Sequence, residues 1–182
     1  MFRSNKRQSI FLLAFLLPLG VNAHADVLTP TCISSIQSKQ FHEKVSTLQS
    51  QNLFFMKSID AIAQEKNISK SSDHAYILSL IFMQVSESMQ LLETSTSLFP
   101  LLKFNNQDQI TIDMLGRRNT FSKDGLIKIF EVLLESRVGI MGYAKNQIMN
   151  YSQGVKNPSL LRDINEMSKT VDELDKLLNP CK

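Results

Sequence analysis

The chain holds two cysteines, Cys32 in PTCISS near its beginning and Cys181 in the closing NPCK. Whether two thiols so far apart in sequence meet constrains the fold more than any other feature. The residues before Cys32 bear on the answer. Arg3, Lys6 and Arg7 give a basic start, Ile10 to Leu19 form a short apolar run, and Ala23-His24-Ala25 is a small-x-small cleavage pattern with Asp26 next. That order is a secretory signal peptide over residues 1–25. The run is too short for a bilayer, which takes about 20 apolar residues, and no cysteine stands at the cut to carry a lipid. The expected product is one domain over residues 26–182, periplasmic or secreted, with no stable membrane insertion after cleavage. No later segment reads as a transmembrane span. An oxidising compartment allows the two thiols to bond.

Export also changes the charge. The 182 residues include 20 Lys+Arg and 17 Asp+Glu. Three of the basic residues leave with the leader and no acidic ones do, so both signs balance. A nucleic-acid or anionic-membrane footprint needs a basic stripe. The remaining chain has none, and no nucleic-acid partner is expected.

Apolar residues recur at helical spacing in four segments. The first covers about 31–66, with Phe41, Val45, Leu48, Phe55, Ile59 and Ile62 in step and Asn52 in the gap; Thr29-Pro30 opens it, since proline suits a first turn. The second covers about 73–103, capped by Ser71 or Ser72 and carrying Leu78, Ile81, Val85, Met89, Leu92 and Phe99. Ile77, Leu80, Phe82 and Met83 make its early part apolar nearly all round, as in a helix that is deeply buried or meets a partner. Pro100 kinks or stops it. The third covers about 123–153 behind Ser122, with a broad face including Phe130, Leu134, Met141 and Ile148. Gly139 and Gly142 interrupt it at about 1 kcal/mol each against alanine, a cost that the close approach of another helix offsets. The fourth starts at Asn157-Pro158 and repeats Leu160, Ile164, Met167, Val171, Leu174 and Leu178, ending at Asn179-Pro180.

The fold class read from these stripes is all-α. The expected form is an antiparallel up-down-up-down four-helix bundle with turns at 67–72 and 154–157 and a long connection, about 104–120, between the second and third helices. Such a chain starts and ends at the same end of the bundle, which pairs Cys32 with Cys181. A loop of that size corresponds to about 5 kcal/mol in the chain-entropy picture. Lengths impose one condition. At 1.5 Å per residue the first helix is about 54 Å and the fourth about 32 Å, and straight rods of those lengths leave the thiols out of reach. The first helix is therefore expected to break between Ser35 and Gln40, with residues 30–39 folded back.

No reaction is legible. HEKVS at His42 has Ser46 where a zinc protease needs its second histidine. No Glu-x-x-His and no haem-attachment motif occur. Met83, Met89, Met141, Met149 and Met167 could face His42 or His74 around a noncovalent haem, but methionine in an apolar stripe is ordinarily core filling. Ser71, Ser72 and Asp73 before His74 read as helix capping, since a triad must converge from separate positions. Glu131 and Glu135, one turn apart, read as a solvated face. No catalytic, cofactor-binding or metal residue is assigned, and no cofactor is expected.

Two features remain. Arg137 interrupts the apolar face of the third helix, where burial demands a carboxylate such as Glu87 or Glu93 and otherwise the head reaches water. The 104–121 connection alternates Ile110, Ile112 and Met114, as an extended piece does, and then shows an exposed basic turn, Gly116-Arg117-Arg118-Asn119. Long connections carry function; the plainer reading tucks the isoleucines over the bundle end and leaves the arginines solvated. The expected function is a non-enzymatic exported protein of inhibitor, immunity or adaptor type, binding an unidentified protein partner. Its interaction loop would be Ile110, Ile112, Arg117, Arg118 and Asn119. The alternatives are a haem or lipid carrier and a cell-wall hydrolase.

Overall fold

The computed structural model describes residues 29–64, 70–114 and 116–182. The leader read over 1–25 lies outside them. The described residues are mostly helical. Their five α-helices are α1 Pro30–Ile36, α2 Lys39–Gln64, α3 Lys70–Leu98, α4 Lys123–Ser152 and α5 Pro158–Leu177, with single 3₁₀ turns at Phe99–Leu101 and Asn179–Cys181. Between α3 and α4 an antiparallel hairpin joins β1 Gln109–Met114 to β2 Arg117–Ser122. The wholly α expectation is corrected there. The period-two alternation of Ile110 and Ile112 suits a strand, and Gly116, at φ 77°, supplies the left-handed conformation the turn requires.

Local chemistry sets the helix ends. Ser122 caps α4, its hydroxyl accepting from the Gly125 amide at 3.1 Å. Asn157 caps α5 by accepting from the Ser159 and Leu160 amides, with Pro158 in the first turn. Helix α3 begins at Lys70, so Ser71 and Ser72 lie inside it and not at the flanking cap position. Of the turn read at 67–72, residues 70–72 are helical and the rest lie outside the described residues. Pro100 ends α3 in a 3₁₀ turn.

The break in the first helical segment falls between Ile36 and Lys39. Ser38 makes it: its hydroxyl donates to the Ser35 carbonyl at 2.7 Å and accepts from the Phe41 amide at 3.1 Å, closing α1 and opening α2. Helix α1 then docks against the ends of α3 and α5. Gln37 donates its side-chain amide to the Thr96 carbonyl at 3.0 Å, and Ser35 donates to the Leu177 carbonyl. Cys32 and Cys181 are disulfide-bonded with Cα atoms 4.8 Å apart, inside the usual span.

Helix α2 packs on α3 and α5, and α4 packs on the same two helices. Phe41, Leu48 and Phe55 of α2 meet Leu78, Phe82 and Met89 of α3 and Leu160, Met167 and Leu174 of α5 in one buried cluster. Each such side chain contributes about 1.5–3 kcal/mol on full burial. Helix α3 corrects one reading. Asp73–Leu101 is long and apolar enough to cross a membrane by length and composition, and half of its most apolar 18-residue window is buried inside the molecule. The close approach expected at Gly139 and Gly142 is absent, since a Cβ at either meets no atom within 4 Å. The tightest glycine among the described residues is Gly154, where a Cβ would lie 2.6 Å from His74 Nδ1.

Candidate functional site

The hairpin gathers the five residues read as an interaction loop. Asn105 anchors its base, accepting from the Gln107 and Gln109 amides at 2.9 Å, and the Lys123 amide donates to the Asp108 carbonyl at 2.8 Å. The register pairs Ile110 with Phe121, Ile112 with Asn119, Asp113 with Arg118 and Met114 with Arg117. Strand pleating therefore divides the five between two faces. Ile110, Ile112, Asn119 and Phe121 form a half-buried face, with Arg117 on the same side near the turn. Arg118 lies on the opposite, exposed face, its Nε 3.5 Å from Asp113 Oδ1, beside Thr111 and Thr120, whose hydroxyls are 3.1 Å apart. The basic turn read from sequence is corrected: Arg117, Arg118 and Asn119 are strand residues, and pairing sends the two arginines to opposite faces.

None of the hairpin side chains described is buried. The hairpin springs from the end of the helical body where the Phe99 and Phe130 rings lie 6.0 Å apart. Leu101 is 71% exposed there, and Val132 is 62% exposed two residues beyond Phe130.

Elsewhere the groups singled out from sequence do not assemble into chemistry. His42 is exposed, and its Nδ1 lies 2.9 Å from Glu93 Oε1. The His74 ring packs against Tyr151 with centroids 5.8 Å apart. Met89, Met141 and Met167 are core residues, whereas Met83 and Met149 are exposed. Arg137 finds neither carboxylate proposed for it. Its Nε is buried with no hydrogen-bond partner, and the lost solvation lowers its pKa. Among the described residues no group of three or more His, Cys, Asp or Glu could hold a metal.

An open groove of about 360 Å³ between α4 and α5 is lined by Val138, Gly142, Lys145, Asn146, Asp175 and Lys182. Its charges satisfy one another. Lys145 lies 2.7 Å from Asp172 and 3.2 Å from Asp175, and Lys182 lies 2.6 Å from Asp175. The bond to Asp172 is the main cause of a raised Lys145 pKa.

A second surface lies on α3, in the segment read as deeply buried or meeting a partner. Tyr76, Leu80, Met83, Leu91 and Leu98 are exposed, whereas α5 has no exposed large apolar side chain. The signal was the all-round apolar character of the segment. Compared with models of known protein families, with curated proteins and with solved structures, the chain matches none.

Proposed function

We propose that this chain is an exported, non-enzymatic protein of inhibitor, immunity or adaptor type that acts by binding another protein through its hairpin, with α2 to α5 as an antiparallel up-down-up-down four-helix bundle. The cyclic packing of α2 on α3, α3 on α4, α4 on α5 and α5 on α2 supports the bundle. The bonded pair of cysteines fits an oxidising compartment. The observation that carries the binding role is the hairpin itself. An isolated two-stranded hairpin is marginal in water, yet this one stands with no described side chain buried. It presents Ile110, Ile112 and Phe121 on one face with Arg117 at their edge. An apolar centre with an arginine beside it is the composition of an interface anchor.

Affinity capture from periplasmic extract tests the reading, comparing the native protein with Ile112→Asp and with Arg117→Ala/Arg118→Ala. Loss of the same captured protein with both variants, at unchanged helical circular dichroism, is expected. An identical set of captured proteins for all three removes the hairpin from the proposal.

A further inference from the structure

The outward positions of α3 form a second seam opposite the core. They step 4, 3 and 4 residues from Tyr76 through Leu80 and Met83 to Glu87, and again 4, 3 and 4 from Glu87 through Leu91 and Thr94 to Leu98. All seven are exposed. Steps of three and four along one face are the spacing by which helices pack on one another in coiled coils. Helix α2 widens the surface. Gln49 bonds Gln90 and Asp60 bonds Tyr76, so Leu53 and Met56, which fall between Gln49 and Asp60 at helical spacing, border the seam. Leu53, Met56 and the five large apolar seam residues are each between 37% and 57% exposed. At roughly 150–250 Å² for a whole large side chain, they expose on the order of 600 Å². That is the upper end of what a typical monomer shows and the greater part of the ~800 Å² each partner gives to a standard interface.

We infer that this seam is a self-association surface, on which α3 of a second copy of this chain lies antiparallel around a twofold axis at Glu87. The spacing is a palindrome about Glu87, and a twofold contact needs such self-complementarity. Antiparallel pairing sets Met83 of each copy against Leu91 of the other, Leu80 against Thr94, and Tyr76 against Leu98. Leu80 against Thr94 places a larger side chain over a smaller one, as interdigitation requires. Glu87 is the seam's only charge, and the axis brings it against its own copy. Like charges there weaken the dimer and make it reversible. The surface is separate from the hairpin, so the inference stands apart from the partner reading above.

Sedimentation of the exported protein over a concentration series tests it. A monomer–dimer equilibrium with a dissociation constant on the order of 1–100 µM is expected from a surface below standard size. Met83→Glu weakens it at least ~10-fold, and Glu87→Gln tightens it ~3-fold by removing the like-charge contact. Arg117→Ala/Arg118→Ala leaves it unchanged. Both native thiols are engaged, so Glu87→Cys carries one free thiol; it forms a disulfide-linked dimer under mild oxidation, and Lys169→Cys on α5 does not. A protein monomeric at every concentration overturns the inference. So does weakening by Glu87→Gln, which would mark Glu87 as the anchor for a basic group on a different partner, or failure of Glu87→Cys to cross-link.

Discussion

Asn52 and Ser79 hold each other across the α2–α3 interface: the Asn52 amide donates to the Ser79 carbonyl at 3.1 Å, and the Ser79 hydroxyl donates back to Asn52 Oδ1 at 3.0 Å. Both residues are buried, so neither has water to fall back on. Asn52→Ala leaves the Ser79 hydroxyl without its acceptor and opens space in the core; a cost of about 1–3 kcal/mol is expected. Asn52→Ala/Ser79→Ala should cost less than the sum of the two single changes, because the orphaned partner goes as well. Urea denaturation of the four proteins measures the coupling. Strict additivity would mean that the pair contributes nothing as a pair.

Gly139 and Gly142 face open space on α4, and Gly154 faces the His74 ring. Alanine at either of the first two is expected to stabilise by about 0.5–1 kcal/mol, since the helix gains propensity and the new methyl meets nothing. Gly154→Ala is expected to destabilise by about 1–3 kcal/mol, because its Cβ must displace a ring packed against Tyr151. Thermal melts of the three variants report the signs. A destabilised Gly139→Ala or Gly142→Ala would reveal a neighbour on that face.

The disulfide fixes α1, whose other ties are Ile36, buried in the core, and a few side-chain bonds to the ends of α3 and α5. Replacing Cys32 and Cys181 by serine should cost about 2–5 kcal/mol. Because α1 is seven residues long, it should detach before the other helices unfold. Limited proteolysis should then cut first near Ser38. First cleavage inside α5 would show that the bond holds the whole body together and not its end.

Acid should weaken the α4–α5 contact through Asp175. Burial is the strongest single influence on this carboxyl and raises its pKa; the hydrogen bonds from Lys182 and Lys145, with their charges, outweigh it, and the pKa ends below the ordinary value. A group held lower in the folded state contributes stability that is complete above its unfolded pKa of about 3.9 and is lost as pH falls through the folded value. Asp175→Asn should therefore cost about 1 kcal/mol near pH 7. The gap from the native protein should narrow on acidification below about pH 4, as the native carboxylate takes up its proton. Urea titrations at several pH values follow the gap, and one independent of pH would disconnect Asp175 from acid stability.

Helix α5 was fully legible in the sequence. Leu160, Ile164, Met167, Val171, Leu174 and Leu178 repeat without a gap between charged residues, and all six are buried; one apolar stripe on an otherwise polar rod leaves one way to pack. The meeting of Cys32 with Cys181 followed from helix number, and the break near Ser38 from the length mismatch it removes. Helix α3 was not legible to the same depth. Its two seams have the same period, so sequence alone could not say that Phe82 would be core and Leu80 surface; that choice rests with the faces α2 and α4 present. Gly139 and Gly142 were misread for a related reason, because a residue's role on a helix face depends on what lies opposite it. The hairpin showed only as alternating isoleucines. Cross-strand register, which exists once both strands are paired, sent Arg117 and Arg118 to opposite faces. Which segments coil into helices and which ends are tied can be read along the chain, because periodicity and capping are local; which faces remain open to a partner is settled by packing, because exposure belongs to the packed whole.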